Sequence, residues 1–487
     1  MSREDLPFAT LTPAIVWSHF ATLCRIPRPS KQEGALRDHL RQWATQRSLS
    51  TEVDGAGNLL VRKPASPGHE HAPGVVLQGH LDMVCQKNSD SSHDFSRDPI
   101  RPVLQEGWLR AEHTTLGADN GIGVALILAA LEDDTLPHGP LEALFTVDEE
   151  AGMGGAHGLQ GGLLQGRLLL NLDTEEWGEF YLGCAGGLDV NVQRPAAAEA
   201  VPKGHRVHRL HLRGLRGGHS GVNIHEERGN AIKLLVRVLW DLQQRTGLRL
   251  IELRGGTARN ALPREASAVI AIPEEHAAAL PAGLALWQQL LRRELVGVEP
   301  DLSLTVEACE ADQTLTLAEQ ALWLNTLHAA PHGVKRMSQQ VAGVVETSNN
   351  LGMVDLGPEG GHCNFMVRSL LDSGSRALAD EIVSLWALSG TRAECSGAYP
   401  GWTPNPHSPL LATCQQVYLD EFAQASTVQV IHAGLECGII GATYPDMDMV
   451  SFGPTIRGAH APGEAVDVAS VARTWQLLRA ILSAIAR

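Results

Sequence analysis

The sequence predicts an α/β protein: a mostly parallel sheet domain, split in sequence, with an inserted α+β region of ferredoxin-like units. Three observations predict it. Compact apolar runs alternate with helical spacings through the first part of the chain, as parallel strands buried on both faces require. From residue 205 the order becomes strand, helix, strand, strand, helix, strand. Beyond residue 406 the first texture returns. The expected segments are 1–194 and 398–487 for the split domain and 195–397 for the insert, within 487 residues.

Taken in order, Ser30-Lys-Gln-Glu33 has the form of a capping box, and Leu36, Leu40 and Trp43 follow at helical spacing. Short strands are expected at 51–53 and 58–62 around an Asp54-Gly55 turn, then apolar strands at 75–77, 141–147 and 168–172. A helix is expected at 121–131. Arg194-Pro-Ala-Ala-Ala-Glu-Ala-Val-Pro202 reads as a linker. The insert then runs strand 205–213, helix 227–245, strands 248–253 and 266–272, helix 275–295 and strand 302–308. A similar order recurs over 315–397, with a helix at 373–388, and Gly255–Asn260 and Thr347–Asn350 read as loops in comparable places. This points to an internal duplication. Ala398–Pro406 reads as a second linker, followed by a helix at 408–424, strands at 428–431 and 449–452, and a closing helix from 466.

Composition excludes several classes. Hydrophobic residues make up 44% and charged residues 19%, enough apolar material for at least two cores and too ordinary for a disordered or fibrous chain. Asp and Glu outnumber Lys and Arg by 55 to 39, a net charge of −16, which disfavours nucleic acid and anionic membrane surfaces as partners. Apolar runs such as Val124–Leu131 are too short to span a bilayer. Met1-Ser-Arg-Glu-Asp has no cationic head leading into an apolar stretch, and eight scattered cysteines form no CxxC pair, so reduced thiols and a cytoplasmic location are expected.

Against that background, five loops bearing acids or histidines sit at or near predicted strand ends. The strand from Val75 runs into His80, with Asp82 two residues on, so both side chains project the same way and Asp82 can hold the ring nitrogen that His80 leaves unused. Asp119 precedes a helical stretch and alone would pass for a helix cap. Asp148-Glu149-Glu150 follows an apolar strand; three consecutive acids there are either a solvated turn or a cation site. Asp173 ends Leu168–Leu172, and His460 lies in a Gly/Pro-rich loop closing at Glu464. Each has a purely structural reading by itself. As a set, two histidines and several carboxylates without cysteine suit two divalent ions, zinc first, with cobalt or manganese tolerated. Such a pair needs one bridging carboxylate and one free carboxylate to activate water.

These motifs, in this order, resemble the dimetal exopeptidase superfamily that includes aminoacylases, peptidase T and carnosinases. The stretches Gly79–Val84, Gly117–Gly123, Val147–Met153 and Ile431–Cys437 are most similar to its bacterial aminoacyl-histidine (Xaa-His) dipeptidase subgroup. Asn120-Gly-Ile after the bridging position departs from many relatives and favours the dipeptidases over the aminoacylases. The resemblance implies that His80 and Asp173 hold one metal, Glu150 and His460 the other, and Asp119 bridges. Glu149 would be the general base, and Asp82 would orient His80. The insert would be a lid domain: His219, in Gly217-Gly-His-Ser-Gly221, would stabilise the tetrahedral intermediate, Asn260 would lie near substrate, and Arg368 would receive the substrate carboxylate through its planar fork. His432 and Glu436 would shape the pocket for the amino end. Cys85 and Cys437 read as inert thiols. The implied reaction is dipeptide hydrolysis with histidine preferred at the C-terminal position. The alternatives are a related N-acyl amino acid deacylase or carboxypeptidase, and a non-catalytic peptide- or metal-binding protein. The duplicated insert either satisfies its contacts within one chain or supports a homodimer.

Overall fold

All six residues of Val75–His80 are buried, as a strand flanked on both sides and covered on both faces demands. In the computed structural model, which describes residues 7–88 and 91–487, this strand lies inside an eight-stranded sheet. The order is Ser50–Val53, Leu59–Lys63, Leu141–Thr146, Val75–His80, Leu168–Asn171, Asp448–Ser451, Glu179–Cys184 and Thr427–Ile431. Parallel pairing joins the four strands from Leu141–Thr146 to Asp448–Ser451, and antiparallel pairs flank them. The parallel part is therefore narrower than expected, because hairpin-connected strands complete the sheet on one side.

Helix Ala118–Glu132 packs on this sheet and on helix Ala14–Arg25. Thirteen of its residues are buried, so it has no solvent face. Gly123 lets it come close: a Cβ there would strike the carbonyl of Leu172 at the end of a neighbouring strand. The closing helix Val468–Ile485 is capped by Asp467, whose carboxylate accepts from Ala469 and Ser470 N–H at 3.2 and 3.1 Å.

The chain forms two compact units. One contains the described residues up to Gly183, Pro404–Val430 and Leu435–Arg487; the other contains Cys184–Thr403 and Ile431–Gly434. The first division thus falls before residue 194, and the expected linker at 194–202 carries the end of strand Gly186–Arg194 and the short strand Ala198–Ala200. The reason lies in the second unit's topology. Its main sheet has the order Ser303–Ala308, His205–Arg213, Ala266–Pro273, Arg249–Gly255, Val345–Gly357, Gly360–Ser369, Gly186–Arg194, Ala393–Tyr399. Each group of four is a β-α-β-β-α-β arrangement, and one is nested inside the other. Gly186–Arg194 is the first strand of the outer copy, whose remaining elements begin only at helix Leu317–Ala329, after the inner copy is complete. The duplication read over 315–397 appeared to start with a helix because its first strand lies far upstream, at Gly186–Arg194, with the whole inner copy between them. The copies join antiparallel through Leu253–Gly255 and Val354–Leu356.

Other expectations are corrected locally. Thr347–Asn350 is no loop; it is the interior of strand Val345–Gly357, with all four residues buried. The helix expected at 275–295 is two, Glu274–Ala277 and Leu280–Glu294. Ser30-Lys-Gln-Glu33 does not cap helix Gly34–Gln46: Ser30 Oγ donates to Asp82 at 2.7 Å, and Glu33 accepts from the N–H of Lys31 and Asp148, both at 2.9 Å.

Candidate active site

The first unit gathers the five motifs at one end of its parallel strands. His80 ends Val75–His80, Asp173 stands two residues beyond Leu168–Asn171, and the acids 148–150 follow Leu141–Thr146 through a turn in which Asp148 has φ 56°. Asp119 lies in the first turn of its helix with non-helical angles and is joined to Asn120 by a cis peptide. It is not a cap. One carboxylate oxygen lies 3.1 Å from His80 Nε2, and the other lies 3.1 Å from His460 Nε2. His80 Nε2 is also 3.6 Å from Asp173, and His460 Nε2 is 3.1 Å from Glu150.

Asp82 has more partners than expected. It lies 3.4 Å from His80 Nδ1, and it also accepts the N–H of Glu149 at 3.0 Å and of Glu150 at 3.1 Å. One fully buried carboxylate therefore sets both the imidazole and the acid turn.

The electrostatics show a surplus of negative charge. Asp119 is held well below the ordinary carboxylate range: burial opposes this, but bonds from His460 and His80 outweigh it. Burial raises Asp173 to about 6, with Asp119 and Glu150 adding to the effect and His80 opposing it. Glu149 is raised well above the ordinary range by burial, with help from Asp173, Glu150 and Glu436 and against His80. His460 is raised to about 11 by its bonds to Asp119 and Glu150. Glu150 Oε1 is buried without a hydrogen bond. Crowded carboxylates that must share few protons, around two imidazole nitrogens, are the donor set that divalent cations neutralise. Ligand atoms of His80, Asp119 and Glu150 all lie within 4.8 Å of one another, so a metal ion fits these residues.

Several residues that hold the site escaped the sequence analysis. Glu464, 2% exposed, accepts the N–H groups of Leu116, Gly117, Ala118 and Asp119 at 2.7, 2.9, 2.7 and 3.2 Å. Its place four residues after His460 in the same loop was the available signal. Asn120 joins two strand ends: its Oδ1 accepts from His80 N–H at 3.2 Å, and its Nδ2 donates to Leu172 O at 2.6 Å. Buried Arg28 donates to Leu81 O, Asp82 O and Gly117 O at 2.9, 2.7 and 2.5 Å. Nothing in the stretch Arg25-Ile-Pro-Arg-Pro29 foretells that.

Glu436 lies near this centre. One oxygen accepts from Gln78 Nε2 and Thr146 Oγ1, both at 2.6 Å, while burial raises its pKa to about 7. His432, paired with it in the sequence reading, has different surroundings: it belongs to the second unit, with Nε2 2.8 Å from Ser348 Oγ. Cys437 is buried, and burial pushes the Cys85 thiol up to about 11, so Cys85 is not activated.

The second unit brings His219, Asn260 and Arg368 together. Arg368 Nη2 is 3.4 Å from His219 Nε2, and Ser220 N–H donates to Asn260 O at 2.8 Å. Asn350 pins the Asn260 loop by donating to the carbonyls on either side, Arg259 at 3.1 Å and Ala261 at 2.9 Å.

A His/Asp/Glu cluster beyond the ends of parallel strands is a setting in which divalent ions can activate water for hydrolysis. Residues 76–484 match the model of "Peptidase family M20/M25/M40", and the chain belongs to that family. It is 46% identical over 476 residues to the cytosol non-specific dipeptidase of Escherichia coli strain K12, covering 98% of each chain. The crystal structure of aminoacylhistidine dipeptidase from Vibrio alginolyticus superposes with TM-score 0.88 at 45% identity, again over 98% of each chain. Aminopeptidase PepT from Bacillus cereus shares the fold at 15% identity, with TM-score 0.57 over 98% of this chain and 100% of that one.

Proposed function

We propose that the protein is a cytoplasmic metal-dependent dipeptidase, cleaving dipeptides with a broad N-terminal residue and preferring histidine at the C-terminal position. The observation that carries this reading is Asp119, whose two oxygens face two different histidines as a bridging carboxylate requires. The names of the Escherichia coli and Vibrio relatives support the dipeptide substrate, and the first of them also supports the location. Among the described residues no helix is long and apolar enough to cross a membrane.

In this reading His80 and Asp173 would hold one divalent ion, Glu150 and His460 a second, and Asp119 would serve both; zinc suits the donors best, with cobalt and manganese as alternatives. Bound there, such ions polarise the peptide carbonyl and lower the pKa of a water. Glu149 would take the proton of the attacking water and later deliver it to the leaving amine, the two halves of general acid–base work. His219 donates to the developing oxyanion, and Arg368 receives the free carboxylate, beside Asn260. Glu436 lines the end that takes the substrate's amino group. The insert acts as a lid.

Metal analysis combined with a substrate panel tests the proposal. Two bound divalent ions per chain and turnover of free dipeptides, Xaa-His among the best, are expected. Faster turnover of N-acetyl amino acids would move the assignment to a deacylase, and a metal-loaded protein inert on the whole panel would make it a binder.

A further inference from the structure

The edge strand Ala393–Tyr399 pairs with Gly186–Arg194 in register as far as Ser396 opposite Asp189. There the register slips by one residue, so that Tyr399, rather than Ala398, stands opposite Gly187. Gly397, at φ 59°, lies in the slip. An extra residue of this kind re-aims the side chains beyond it. Here it completes a row across four strands: Ser348 pairs with Arg368, Arg368 with Gly187, and Gly187 with Tyr399. Residues directly opposite one another project from the same face.

Gly187 is the gap in that row. A Cβ at this position would lie 2.8 Å from the Tyr399 hydroxyl and 2.9 Å from Val367 O. Through the gap Tyr399 reaches Arg368, and its hydroxyl accepts from Nη1 at 2.8 Å. The other contacts of the guanidinium are long: Ser220 Oγ at 3.3 and 3.4 Å and the His219 ring at 3.4 Å. A guanidinium only 4% exposed, with hydroxyls and an imidazole as its hydrogen-bond partners, is set up to receive an anion. The phenol has one proton of its own. Burial raises its pKa, against the influence of Arg368, so that proton stays in place and is available to an acceptor seated on Arg368.

We propose that Tyr399 is a specificity-determining residue for the substrate's C-terminal carboxylate, its hydroxyl accepting from Arg368 while donating to the carboxylate that Arg368 receives. The proposal rests on the reading of Arg368 given above. It makes the receptor a guanidinium and a phenol on the two strands that flank Gly187.

The test uses the metal-loaded full-length enzyme, a free dipeptide and the same dipeptide amidated at its C-terminus. Tyr399→Phe should lose about 10-fold in kcat/KM on the free acid, chiefly through KM, and stay within about twofold of wild type on the amide. Gly187→Ala, which pushes the phenol off Arg368, should give the same pattern. The ratio between the two substrates does not depend on how much of a variant has folded, so a partly misfolded preparation still reports. Equal losses on both substrates would make Tyr399 merely structural, and an unchanged ratio in Tyr399→Phe would overturn the proposal. Arg368→Ala separates the two readings. If it discriminates against the amide as strongly as wild type, the Arg368 assignment falls and the Tyr399 proposal with it. If it loses the discrimination while Tyr399→Phe keeps it, only the Tyr399 proposal falls.

Discussion

Glu149 and Glu150 are neighbours with opposite surroundings. Glu150 lies 3.1 Å from His460 Nε2, whereas Glu149 is set apart by its strongly raised pKa, with burial as the main cause. In an unbroken acidic run neither proposed assignment is visible; Asp82 holds both N–H groups and so fixes the turn from which the two side chains depart. Glu149→Gln keeps the shape and removes the proton acceptor. Turnover should fall by at least roughly 10²-fold, the scale of general-base catalysis, while metal content stays near wild type. Loss of metal in that variant, read by elemental analysis, would mean that the two glutamates have exchanged roles. Ser30 and Glu33 teach the converse. Their spacing matches a helix cap, yet a nearby buried carboxylate and the N–H of Asp148 compete for the same groups and win.

At the level of elements, the site joins strand ends to one helix start and one loop. His80 is 1% exposed on its strand, whereas the His460 side chain is 53% exposed on a loop with φ 65°. His80→Ala and His460→Ala should each cost about one of the two proposed ions along with activity; unchanged stoichiometry in both variants would end the dimetal reading. Helix Ala118–Glu132 offers a separate check. In an exposed helix, Gly→Ala stabilises by about 1 kcal/mol. Gly123→Ala should do the reverse, because its Cβ would meet Leu172 O and the Asn120 side chain. A loss of about 1–3 kcal/mol is expected by denaturant titration. A more stable variant would show that the helix and the strand end do not need to approach so closely.

For the whole molecule, stability should carry a pH signature from the second unit. Burial, with Lys233 adding, lowers the pKa of His332 to about 3, and its Nδ1 accepts from Asn230 Nδ2 at 3.3 Å and Leu351 N–H at 3.4 Å. Unfolded, the ring titrates near 6.5. Between those values the unfolded chain binds the extra proton, so stability is full above about pH 6.5 and is lost as pH falls towards 3, by up to about 1.4 kcal/mol per unit. His332→Asn keeps an acceptor without a titrating ring and should flatten that slope by one proton. An unchanged slope, from urea melts between pH 4 and 7, would assign the acid sensitivity to other groups, among them His432, also lowered to about 3 by burial and by Arg368.

The α/β class, the apolar strands and the five motif positions are legible from the chain itself, because hydrophobic period and runs of acid after apolar segments are local patterns. The donor cluster is also foreshadowed, since His80 and Asp82 lie two residues apart on an extended chain. What pairs with what is not local. The nested outer repeat begins at Gly186–Arg194 and resumes at Leu317–Ala329, so no contiguous window contains it. Glu464 reaches the Asp119 loop across more than 300 positions, and Arg28 reaches Gly117 across 89. Tyr399 enters its row only through a one-residue slip in register, inside a stretch whose prolines and glycine read as linker. Alternation and spacing decide which side chains an element can offer; register, close approach at glycines and competition for buried hydrogen-bonding groups decide which of them meet, and those are settled only when distant strands pair.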